Sequence, residues 1–292
     1  MKKSFIQLHI AVFLAGFTGI FGKLITLNEG LLVWYRLLIT AATMWLLFFF
    51  TKKLQRISWK DIIRLTGVGF LAALHWVTFY GAIKYSNISV GVVCISAVGF
   101  FTAVIEPIIT VKRLNKVEVA LGLLVIAGIY IIFRFDPKYK IGIALGITCA
   151  LLVSFVMIWM RGFIQRINPE TVLTYQLSGG FLLLSACMPF YLHYFPTSYI
   201  IPVAKDWVWL FILAWLCSVL AFQLTGYALK KLSAFTVNLS FNLEPVYGIL
   251  FAFLFYNEGK DLNVSFFIGL AIIIISLVLH ILYLKRNAAS GK

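Results

Sequence analysis

The sequence predicts an all-α integral membrane protein: ten transmembrane helices arranged as two inverted five-helix repeats around a central cavity. Three observations carry that prediction. Of the 292 residues, 62% are hydrophobic and only 12% charged, with a mean hydropathy of +0.99. A soluble domain carries roughly twice that charged fraction. The apolar residues also gather in blocks of about twenty, the length a helix needs to cross a roughly 30 Å hydrocarbon core. Finally, pieces of the first half recur in the second at a near-constant offset.

The blocks place spans at about 5–25, 31–51, 62–83, 88–109, 117–133, 141–160, 171–192, 207–229, 235–256 and 266–284. Helices are required, because unpaired backbone cannot face lipid and no alternating strand pattern occurs. Met1-Lys2-Lys3-Ser4 runs straight into apolar sequence and reads as the start of the first span. Cys94, Cys149, Cys187 and Cys217 all fall inside apolar blocks, where a thiol behaves as a small hydrophobe.

The net charge of +15 could suit nucleic acid, but the basic residues sit in short clusters between apolar blocks. That placement sets topology, so the partners expected are membrane lipid and a small-molecule substrate, with no nucleic acid. With the N-terminus inside, the outer loops hold Lys84, Arg134, Lys138, Lys140, Lys205 and Lys260. The inner segments hold about three times as many cations, which predicts that both termini lie inside.

Asp61-Ile62-Ile63-Arg64-Leu65 and Asp206-Trp207-Val208-Trp209-Leu210 open spans three and eight. Those spans close on Ala82-Ile83-Lys84 and Ala228-Leu229-Lys230, followed by Ser86 and Ser233. The shared offset of about 146 residues predicts duplication, with a first unit over 1–137 and a second over 138–292. Five is odd, so the second unit enters the membrane upside down, an arrangement typical of secondary transporters.

Polar side chains at membrane depth are few, and they mark either a cavity or a helix contact. Glu244, in Asn242-Leu243-Glu244-Pro245, stands near the centre of span nine, where a carboxylate must be protonated, paired or hydrated. Pro245 adds a kink. Glu244 reads as a substrate and proton-coupling site or as a clamp between helices. Asn238 and Asn242 share its helix face and suit either role. His75 titrates in the physiological range and is the second proton-coupling candidate, beside an aromatic pair, Trp76 and Tyr80, able to hold a planar or cationic group. Lys23 and Arg36 lie toward the outer ends of spans one and two. Arg36 snorkels, pairs with Glu29, or grips a substrate carboxylate. Tyr175, Gln176 and Gln223 would make the inner half of a cavity polar but uncharged. Glu106 is expected to pair with Lys112 or Arg113 at the rim. Gly16, Gly19 and Gly22, and Gly142 with Gly146, predict close helix contacts. Spans five and ten, almost wholly apolar, are expected at the periphery, leaving eight around the cavity.

No metalloprotease, nucleophile-elbow or phosphate-loop motif occurs, and no His/Cys cluster has metal-ligand spacing, so no cofactor, metal or catalytic residue is expected. An intramembrane enzyme acting on lipid-linked substrates is the rival reading. It would need a nucleophile or metal constellation that the sequence does not offer.

The order of motifs resembles the EamA-like branch of the drug/metabolite transporter superfamily over nearly the whole chain. It is carried by Trp34-Tyr35-Arg36, by His75-Trp76 with Tyr80-Gly81-Ala82-Ile83-Lys84-Tyr85-Ser86, by Ile105-Glu106-Pro107, and by Leu243-Glu244-Pro245-Val246-Tyr247 before Asn257-Glu258. The resemblance implies a multi-pass transporter of a bacterial inner membrane, a monomer or homodimer. It would export small organic metabolites such as amino acids by alternating access, with protons as a coupling ion. It also places Glu244 and Arg36 on family-typical positions. This chain departs from the pattern after span four, where Lys112-Arg113 replaces an acid.

Overall fold

The computed structural model describes residues 2–111, 113–133, 137–229, 231–232, 237, 240–241, 243–256 and 264–289, and among them every regular element is helical. The first span comprises α1 (Lys2–Gly16) and α2 (Thr18–Leu24), the second α3 (Glu29–Phe50) and the third α4 (Trp59–Lys84). The fourth comprises α5 (Ile88–Ile95) and α6 (Val98–Thr110), and the fifth is α7 (Lys116–Phe133). Then come α8 (Lys140–Ile164) and α9 (Pro169–Tyr194). The eighth span is α10 (Ala204–Ala214), a π-turn (Trp215–Leu220) and α11 (Ala221–Leu229). The last two are α12 (Glu244–Tyr256) and α13 (Val264–Ala289). Among the described residues, nine of these spans are long and apolar enough to cross a membrane, and α12 is a shorter apolar helix.

Local chemistry sets the helix starts. The amide oxygens of Asn28, Asn87 and Asn168 accept from the backbone N–H three residues on, at 2.8, 2.8 and 2.9 Å. Each satisfies a donor that the first helical turn leaves open. Pro169 then occupies the first turn of α9, where a missing N–H costs nothing. Pro245 has the same place in α12. It therefore sits in the first turn of a short described helix, and the first part of the span expected over 235–256 lies largely outside the described residues.

The two halves pack against each other symmetrically. The third span packs on the sixth and seventh, the fourth on the sixth, and the first on the eighth and ninth. The second packs on the seventh and eighth, the fourth on the ninth, and the fifth on the tenth. Exchanging each span for the one five places away regenerates the same set of pairings. Backbones meet where small residues allow it. A side chain at Gly69 would run into the Gln176 carbonyl, one at Gly179 into Thr66, and one at Gly22 into the Tyr80 ring. The glycines singled out in spans one and six do lie at such crossings: Gly16 faces Tyr247, Gly142 faces Ser86 and Gly146 faces Cys94.

Polar ties differ at the two ends of the bundle. On the face opposite the N-terminus, the turn between spans one and two is held from four directions. Asp206, fully buried, accepts from the Thr26 N–H at 3.0 Å and its hydroxyl at 2.8 Å, and Tyr199 bonds the same hydroxyl. Lys84 donates to the carbonyls of Ile25 and Leu27, and Tyr191 donates to Glu29 at 2.8 Å. On the N-terminal face, Arg166 grips Asp61 with two hydrogen bonds, 3.0 and 2.6 Å, and Asn168 bonds Gln55 and the Lys53 carbonyl.

Gly69→Val should wedge α4 from α9 and lower stability by about 1–3 kcal/mol or more, the usual cost of overpacking. Thermal unfolding of the purified protein checks this. Gly67→Val is the control, since a side chain there meets open space.

Candidate functional site

Two polar features lie at membrane depth, close enough for the Arg36 charge to act on Glu244. One is a saturated knot around Arg36. The other is a cavity lined in part by Glu244.

Arg36 does not snorkel and does not pair with Glu29. It is 2% exposed. Its Nε donates to the Ser218 hydroxyl at 2.9 Å, Nη1 to the Tyr80 hydroxyl at 2.7 Å, and Nη2 to the Cys217 carbonyl at 3.5 Å. Its guanidinium lies 4.2 Å from the Trp76 ring centroid, and Trp76 in turn stacks on Phe222. The planar cation held by Trp76 and Tyr80 is thus the protein's own arginine. A buried charge requires this degree of pairing. The π-turn at Trp215–Leu220 brings Cys217 and Ser218 to the guanidinium, and such turns concentrate at working sites. Ser218 was not singled out from sequence and Cys217 was read only as a small hydrophobe, because a one-residue change of helical register has no marker in composition.

His75 lies beside this knot, buried, its ring 4.9 Å from that of Trp76. Its Nδ1 has no hydrogen-bond partner among the described residues. Gln176 is likewise buried with a free Oε1 among the described residues, on α9 where it abuts Gly69. Tyr175 faces away, edge-on to Trp45 at 5.3 Å. Gln223 borders a small crevice with Phe48, Glu170 and Tyr227 near the N-terminal face. Lys23 is exposed, its ammonium 4.9 Å from the Tyr256 ring centroid, so it does not share a site with Arg36. Asn238 and Asn242 fall outside the described residues.

The cavity has a volume of about 540 Å3 and lies between spans four, five, six, nine and ten. Glu244 borders it at depth, with Ser96, Thr102 and Ser276 as the other polar side chains there. Apolar residues from α5, α6, α12 and α13 form most of the wall, among them Val93, Val98, Ile249, Leu270 and Ile273. Toward the N-terminal face the lining becomes charged, with Glu106, Arg113, Glu118 and Arg161, and His280 lies beside them. Glu106 does form an ion pair, but with Arg161 across spans four and six at 2.9 Å. The expected partner Arg113 is not the one it uses, and Lys112 lies outside the described residues. Spans five and ten are the least buried, as their composition suggests, yet they supply a wall of the cavity and are not merely peripheral. Ser276 and His280, four residues apart on one face of α13, are the signal that apolarity obscured.

Span four is interrupted at Ser96–Ala97, where Ser96 and Ala97 make short-range bonds to Val93 and Cys94. Aligning the two halves of the sequence through Ser86 and Ser233 sets Ala97 opposite Glu244, the first residue of α12. Ser96 and Glu244 both border the cavity.

A model of the EamA-like transporter family matches residues 2–134 and again 140–282. The chain belongs to the EamA-like transporter family. It is thus a multi-pass membrane protein of the drug/metabolite transporter superfamily, whose members are generally transporters. No curated protein matches the chain. One solved crystal structure, described only as that of a protein, superposes with a TM-score of 0.64 over 94% of this chain and 96% of that one, at 18% identity. That likeness bears on the fold alone. The repeated family match supports the duplication, while the substrate is a separate matter.

Arg36→Lys should destabilise the protein, since one ammonium cannot replace a three-pronged, ring-stacked guanidinium. The expected cost is about 1–3 kcal/mol for each of Tyr80, Ser218 and the Cys217 carbonyl left without its donor. Thermal unfolding of the purified protein measures it. The half-exposed Glu106–Arg161 pair is worth less, about 0.2–1 kcal/mol in a double-mutant cycle.

Proposed function

We propose that this protein is a secondary transporter that exports small organic metabolites, such as amino acids, by alternating access between two inverted five-helix repeats. The observation that carries the reading is the cavity itself: a chamber of about 540 Å3 reaching Glu244 between the interrupted fourth span and α12. Secondary transporters built from inverted repeats place substrate and coupling-ion sites at mid-membrane, where discontinuous helices meet. The pairings between halves are preserved when each span is exchanged for its counterpart, and an odd number of spans per half makes that exchange an inversion.

In this reading both termini and the charged mouth of the cavity face the cytoplasm of a bacterial cell, and substrate enters from there. The polar ties around Thr26 close the other end and part when the cavity reverses. Glu244 alternates between substrate and proton, and His75 tunes the charge of the adjoining core. A carboxylate at this depth carries a large desolvation cost, which a ligand cation or a proton offsets. Membrane lipid surrounds the bundle, and no cofactor is required.

Flux in sealed vesicles, with and without an imposed pH gradient, tests the proposal. The expected result is gradient-dependent transport that Glu244→Gln reduces at least tenfold while the protein remains folded. Gradient-independent transport that survives Glu244→Gln would sink the proton-coupling part.

A further inference from the structure

The cavity assigns a charge class to its ligand, resting on the transport reading above for its purpose but not for its test. One sequence reading had Arg36 grip a substrate carboxylate, with Lys23 the other cation within a span. Neither is placed to hold one in this cavity. Arg36 spends its donors on Ser218, Tyr80 and Cys217, and Lys23 sits exposed over Tyr256.

The geometry around Glu244 is the reverse of an anion site. The first and ninth spans run alongside in the same direction, Phe13 beside Tyr247 and Lys23 beside Tyr256. The fourth span, three crossings after the first, runs against them. It meets the ninth where Val92 packs on Gly248, so closely that a side chain at Gly248 would strike Val92. One turn closer to the N-terminal face on each helix stand Ser96 and Glu244, abreast, and both border the cavity. The Ser96 hydroxyl is buried with no partner among the described residues. Glu244 is only partly buried, with its remaining exposure toward the chamber, and no described residue donates a hydrogen bond to it. Around this pair the wall is apolar. Arg36 lies close enough for its charge to act on Glu244 but directs its donors to Ser218, Tyr80 and the Cys217 carbonyl. The arginines of the lining lie at the mouth, with Arg161 already paired to Glu106.

We infer that the Ser96–Glu244 level of the cavity binds an organic ammonium ion carrying an apolar body, the ammonium on the Glu244 carboxylate and the Ser96 hydroxyl, and the body against the wall of α5, α12 and α13. A primary ammonium supplies three donors, which matches one carboxylate and one hydroxyl left open. A carboxylate ligand would meet like charge at the same spot.

Three probes of similar size separate the alternatives: 2-phenylethylammonium, phenylacetate and neutral 2-phenylethanol. Binding to the purified full-length protein is read by thermal stabilisation, without any flux measurement. The amine is expected to bind at least tenfold more tightly than the other two, and Glu244→Gln is expected to remove that preference. A second readout locates the site even if Glu244→Gln fails to fold. In a Cys187→Ser background, which removes the exposed native thiol, alkylation of Ser96→Cys should slow several-fold with the amine and not with the acid. Equal binding of the three, preference for the acid, no binding of any, or amine binding that leaves Ser96→Cys unprotected would overturn the assignment. Amine binding without flux in vesicles would leave the assignment standing and overturn transport instead.

Discussion

A guanidinium held out of water ties the centre of this bundle together. Arg36 on span two reaches Tyr80 on span three and two groups of the π-turn on span eight, with the Trp76 ring beneath it. None of these partners is optional in hydrocarbon, because each unmatched donor costs a kcal/mol or more. The register of three helices is therefore set by one side chain. Trp76 carries the constraint onward to Phe222.

From that fixed centre the two ends of the molecule are finished differently. The end opposite the N-terminus is sealed by hydrogen bonds from Asp206, Lys84, Tyr191 and Tyr199 onto a single short turn. At the N-terminal face, loops 51–58 and 165–168 are stitched together through Asp61, Arg166, Gln55 and Asn168. Spans four, five, six, nine and ten diverge beside that stitched seam, and the chamber occupies the space between them. The asymmetry is one of polar ties more than of helix packing, since the pairings between halves are symmetric.

The fold was largely legible in the sequence, because lipid allows few solutions. Among the described residues nine apolar blocks became membrane-length helices and a tenth a shorter one, and Gly16, Gly142 and Gly146 fell at real crossings. The site was legible only as a list of residue types. Glu244, Arg36, Trp76 and Tyr80 all proved to be buried or cavity-lining groups, yet their grouping was not readable. A sequence shows that a cation and two aromatics are near in chain order. It does not show that the cation on another helix satisfies them internally. For the same reason Glu106 was matched to neighbours in sequence, whereas its partner Arg161 lies 55 residues away. Ser96 carried no signal, because a lone serine in an apolar run costs little and is common.

The interruption of span four has a consequence for how this molecule can move. A continuous helix transmits a tilt from one membrane face to the other, so its ends cannot be repositioned independently. Span four is divided at Ser96–Ala97, so the segments on either side can reorient about their junction without bending intact hydrogen-bonded turns. That junction borders the chamber at the level of Glu244. A group bound there would sit beside the pivot, where a small rotation displaces the far ends of both segments most.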